Sequence, residues 1–152
     1  MTNEPETSSD HSPGVCGRFY PALAVSMLTL AFLPLFEPVD SDGISTEYGT
    51  VFDMAGRQGG GPAVFGILVL AVLIGLMVTA AIRVPSRTIP LAIAGAAALV
   101  IVMLITKPGT GTPTPDLSDT GQAGIALGVA AIVVAIVQVA DLSRRRDVAG
   151  TQ

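Results

Sequence analysis

The sequence predicts an all-α, polytopic membrane protein with four transmembrane helices, and three observations carry that prediction. The apolar residues fall in four blocks of about 18–21 residues, the length at which a helix crosses a hydrocarbon core of about 30 Å. None of the four blocks contains Asp, Glu, Lys, Arg or His. Only 13% of the chain is charged and the mean hydropathy is +0.65, whereas soluble domains carry roughly 25% charged residues.

The elements follow in order. Residues 1–18 are polar and hold Pro5, Pro13, Glu4, Glu6 and Asp10; they are too poor in apolar surface to fold, and a disordered tail is expected. The first block, 19–36, has Pro21 in its first turn, where a missing N–H costs little. Pro34 lies in its last turn and should end or kink the helix. The acidic segment in front of this block and the absence of a small-residue cleavage pattern after it argue for an uncleaved span.

Residues 37–61 form an acidic connection with Glu37, Asp40, Asp42, Glu47 and Asp53 against one base, Arg57. Within it Tyr48, Val51, Phe52 and Ala55 recur at helical spacing and predict a short surface helix over Thr46–Gly56. The second block, 62–82, starts at Pro62. A short basic turn, 83–88, joins it to the third, 89–106, so these two form an antiparallel hairpin. The Pro-, Gly- and Thr-rich connection 107–120 leads to the fourth block, 121–140, and a basic tail, 141–152, ends the chain.

Orientation follows from Lys and Arg. With both termini inside, six of the eight bases are cytoplasmic: Arg18, Arg83, Arg87, Arg144, Arg145 and Arg146. Arg57 and Lys107 remain outside. The expected topology is therefore N-in and C-in.

The chemistry is sparse. A net charge of −4 disfavours nucleic acid, whose backbone requires clustered bases. The single Cys16 forms no internal disulfide, and His11 has no neighbouring ligand. GRQGGGP lacks the Lys and Ser/Thr of a phosphate loop. The outer acids lack Ca²⁺-loop spacing and read as a solvated surface. No nucleophile and base pair is present, so no catalytic, cofactor or metal residue is assigned and no enzyme is expected. Ser26, Thr29, Thr79 and Thr106 can bond back to their own helix. Gln138, a turn from the cytoplasmic end, reaches either the interface or a neighbouring helix.

Small residues recur every four positions: Ala71, Gly75 and Thr79 in the second block, Ala94 and Ala98 beside Gly95 in the third, Gly124 and Gly128 in the fourth. Such positions let helices approach closely in lipid. They are read as packing within the bundle, or as contacts to a second copy or another membrane protein through Gly124, Gly128, Ala71 and Gly75.

The acidic outer connection, the stretch YGTVFDMAGRQGGGP before the second block and the basic tail resemble small four-span membrane proteins common in actinobacteria. The resemblance is one of layout. It implies a multi-pass protein of a bacterial plasma membrane and carries no functional residues. The expected role is a non-enzymatic accessory subunit of a larger membrane complex; the alternative is a small oligomeric transporter or channel.

Overall fold

The computed structural model describes residues 15–41, 44–57, 60–82, 86–106 and 115–149. The expectations for the tail before residue 15, Arg83, Lys107 and the last three residues lie outside these, as do the side chains of Cys16, Arg145 and Arg146.

A 3-10 turn, Val15–Arg18, leads into α1, Phe19–Leu30. A hairpin of β1, Val39–Ser41, and β2, Ile44–Thr46, pairs antiparallel with Asp40 opposite Ser45. A one-turn helix α2, Val51–Ala55, precedes the long helices α3, Gly61–Ile82, α4, Thr88–Thr106, and α5, Asp119–Ala149. Three of these, α3, α4 and α5, are long and apolar enough to cross a membrane. They form an antiparallel bundle with α1, in which α1 packs on α3, α3 on α4, α4 on α5, and α5 closes back on α1.

The first helix is shorter than the block 19–36 that the sequence offered. It stops at Leu30 because Pro34 has no N–H to return to the Leu30 carbonyl. Bonds from the Phe32 N–H to the Thr29 carbonyl and from the Leu33 N–H to the Leu30 carbonyl, 3.2 and 3.1 Å, tighten its end. The freed backbone then pairs with the entry to α5. The Glu37 N–H donates to the Asp116 carbonyl at 2.8 Å, the Ser118 N–H to the Leu35 carbonyl at 3.1 Å, and Phe36 bridges Leu117. Irregular backbone is tolerable at membrane depth when protein groups satisfy it in this way.

The bundle is apolar on the outside, and alanines make up much of its inside. Val25, Leu68, Leu91 and Ile136 are each about 60% exposed, whereas Ala24, Ala31, Ala80, Ala97, Ala131 and Ala135 are buried. A water-soluble monomer rarely exposes a continuous apolar surface beyond a few hundred Å². Here such side chains cover all four helices, which is the surface of a membrane-embedded protein.

Buried positions are spaced alternately by three and four residues: Tyr20, Ala24, Met27 and Ala31 in α1; Pro90, Ile93 and Ala97 in α4; Gly128, Ala131, Ala135 and Gln138 in α5. That is the period of a knobs-into-holes seam. In α3 the face read from the sequence is corrected. Ala71 and Gly75 face outward, and a Cβ at Gly75 would meet nothing within 4 Å. The inward residues of α3 are Val69, Leu73, Met77 and Ala80. The reason is complementarity: α4 and α5 present Ala97, Gly128 and Ala131, so α3 supplies the bulk that fills the space between them.

Candidate functional site

An apolar space in the bundle lies at its α2 end. The Pro34 stop turns the chain out of α1, and the one-turn helix α2 sits across the opening. Its order comes from its cap. The Asp53 N–H donates to Thr50 Oγ1 at 3.2 Å, and the Thr50 N–H donates to Asp53 Oδ2 at 2.8 Å, which satisfies two end donors reciprocally. The Thr50 hydroxyl also donates to Asp53 Oδ2, at 2.7 Å. Those bonds, the hydroxyl's first and the backbone's second, hold the Asp53 carboxyl below its ordinary range; Arg57 adds a smaller pull. Arg57 in turn donates to the Glu47 carbonyl at 2.7 Å and ties the end of α2 to the residue after β2.

The inner side of α2 keeps part of the face read from the sequence, Tyr48 and Val51, but adds Met54 and leaves out Phe52. Met54 is buried with Leu35 and Phe36, and Tyr48 and Val51 pack against that cluster. Phe52 stays exposed and stacks on Phe32 with ring centroids 5.2 Å apart. Tyr48 meets Phe36 edge-on at 6.3 Å. One turn fixes two faces, so Met54 turns in and Phe52 turns out along the rim.

Below α2 lies a cavity of about 170 Å³, with Met27, Ala31, Met54, Ala63, Gly66, Met103 and Gly124 among its lining residues. Small side chains open it: a Cβ at Gly66 would still be 3.7 Å from the Met103 terminal methyl, and one at Gly124 would be 3.4 Å from Leu104 Cδ1. Flexible methionines form its walls, and these can adjust to irregular shapes. Among the described residues Thr106 is the only polar side chain on its wall, and its hydroxyl donates to the Met103 carbonyl.

Ser118 fastens this end. Its hydroxyl donates to the Pro34 carbonyl at 2.8 Å and accepts from the Gly121 N–H at 3.2 Å. It caps α5 and holds the end of α1 at once. Gly121 is the close-approach point, because a Cβ there would run into the Leu35 carbonyl oxygen. Neither residue stood out in the sequence; the Ser-x-x-Gly entry to the fourth block was the available signal.

The opposite end is filled. Tyr20, Leu73, Met77 and Ile93 are wholly buried there, and the Tyr20 hydroxyl donates to Gln138 Oε1 at 2.6 Å. Gln138 thus reaches a neighbouring helix, the second of its two expected fates. Tyr20 is its unforeseen partner. Thr29 and Thr79 bond back to the carbonyls four residues earlier, as their type predicts. Gly128 belongs to the filled region: a Cβ there would sit 2.8 Å from Ile101 Cγ1. Among the described residues no three His, Cys, Asp or Glu side chains converge as a metal site would require. No family model, curated protein or solved structure matches the chain.

Proposed function

We propose that this chain is a non-enzymatic four-span protein of a bacterial plasma membrane, with both termini cytoplasmic, that serves as an accessory subunit of a larger membrane complex. The observation that carries the reading is the apolar surface: large aliphatic side chains exposed along all four helices of the bundle. Such a bundle is built to be surrounded by lipid and by other helices.

The crossing of α1 is supported by adding its parts. Its 12 residues give about 18 Å, and residues 31–36, the rest of the apolar block, extend beyond them. The paired segment at Leu35 and Phe36 continues toward the surface. The Tyr20–Gln138 bond puts the start of α1 beside the late part of α5, which runs on into Arg144. The acids Glu37, Asp40, Glu47 and Asp53 belong to the other end. That separation supports an N-in, C-in orientation, and the layout of actinobacterial four-span proteins fits it.

An accessory role is favoured over transport because polar side chains in the described interior reduce to the mutually satisfied Tyr20 and Gln138; ion and proton pathways are marked by ionisable residues at membrane depth. Partner contact is assigned to the outer face of α3 at Ala71 and Gly75, where a helix can approach closely. Gly128 serves packing within the chain instead. The test is purification of the tagged full chain in mild detergent. A stoichiometric heterologous membrane protein, lost on Gly75→Leu, is expected. A homo-oligomer alone would contradict the accessory role and favour the oligomeric channel.

A further inference from the structure

We propose that the cavity beneath α2 is a binding site for one acyl chain of a bilayer lipid, taken from the leaflet on the α2 side. The inference deepens the membrane reading above and rests on it.

Four observations point to that occupant. The lining is aliphatic and thioether almost throughout, and its one hydroxyl, on Thr106, is already bonded to the Met103 carbonyl, so the site offers a ligand no polar anchor. The volume, about 170 Å³, is close to that of an engineered cavity of about 150 Å³ that holds benzene. It suits a stretch of one hydrocarbon chain and excludes a whole lipid or a drug-sized molecule, whose sites begin near about 300 Å³. The lining residues of α3 run from Pro62 to Leu70, a rise of about 12 Å. This places the site within one half of a hydrocarbon core of about 30 Å. Pro62 and Thr106 are lining residues exposed at the surface, which sets the mouth between the start of α3 and the end of α4, facing the bilayer.

The test uses the purified full chain in phosphatidylcholine vesicles containing a phosphatidylcholine with a photoactivatable diazirine along one acyl chain. Adducts are mapped by mass spectrometry in the wild type, in Gly66→Leu and in Ala63→Leu, two independent ways of filling the cavity. Adducts are expected on Met27, Met103 or Gly124 in the wild type, along with adducts on the outward Leu68 and Val72. In either filled variant the cavity adducts should fall about tenfold, the factor that about 1.4 kcal/mol of lost space gives. The outward adducts should persist. Outward adducts without cavity adducts, or cavity adducts equal in all three proteins, would overturn the site while leaving the membrane reading standing. Loss of both kinds in the wild type would overturn both.

Discussion

At the Tyr20 end of the bundle, buried side chains fill the interior and the one polar pair is sealed by a hydrogen bond of 2.6 Å. At the α2 end, the same four helices enclose a cavity of about 170 Å³ under a helix of five residues. The difference lies in which residues meet. Tyr20, Leu73, Met77 and Ile93 occupy the first region, whereas Ala31, Ala63, Gly66 and Gly124 line the second together with Met27, Met54, Met103 and Leu104. Gly128 lies tight against Ile101, but a Cβ at Gly66 or Gly124 would still stand 3.7 or 3.4 Å from its nearest neighbour. A bundle without charge pairs in its spans can thus be rigid at one end and adaptable at the other.

The sharpest way to break this comparison uses two glycines one turn apart. Gly128→Leu drives a branched side chain into Ile101 and should cost about 1–3 kcal/mol of stability. Gly124→Leu points into the cavity wall beside Leu104 and should be neutral or stabilising. Thermal unfolding in detergent measures both; equal losses would show that the two ends are packed alike. A smaller effect is expected at the polar pair. Tyr20→Phe removes the donor to Gln138 and should cost about 0.6–1.7 kcal/mol, the span measured for hydrogen bonds between membrane helices. Tyr48→Phe at the other end keeps its edge contact with Phe36 and should change little in the same assay.

The cap of α2 should respond to acid alone of all these features. A carboxylate held below its ordinary range contributes stability that is complete above the unfolded value, about 3.9, and is lost as pH falls through the lower folded value. Hydrogen exchange at the Asp53 and Met54 amides should therefore quicken below about pH 4 while the bundle amides stay protected. Asp53→Ala should reproduce the fast exchange at neutral pH. The smallest effect belongs to Gly75→Leu, whose side chain would enter open space; its stability should stay within about 0.5 kcal/mol of the wild type.

Much of this architecture was legible in the sequence because the apolar blocks record helix length directly. The block 62–82 coincides with α3 but for one residue, and 89–106 coincides with α4 in the same way. Contacts set by tertiary partners were not legible. Pro34 signalled the stop of α1, but the pairing of the freed backbone with Asp116 and Ser118, some 80 residues away in sequence, had no local signal. The β1–β2 hairpin was hidden inside an acidic stretch, although Asp42-Gly43 is a pair that favours two-residue hairpin connections. The inward face of α3 was misread because Ala71, Gly75 and Thr79 and the buried Val69, Leu73 and Met77 share one four-residue spacing and differ only in the side of the helix on which they lie. Only the small surface presented by α4 and α5 decides between them. The cavity has no sequence signature at all, since its lining residues come from separate elements and meet only in space.

The claim on which the whole account depends is that both termini lie on one side of a membrane and α2 on the other. Cys16 is the only thiol in the chain, so the natural protein reports its own topology. An impermeant maleimide should label Cys16 in inverted vesicles and leave it unlabelled in intact cells, while Ser41→Cys in a Cys16→Ser background should do the reverse. Labelling of both positions from the same side would contradict the four-span arrangement, and labelling of Cys16 from outside would contradict its orientation.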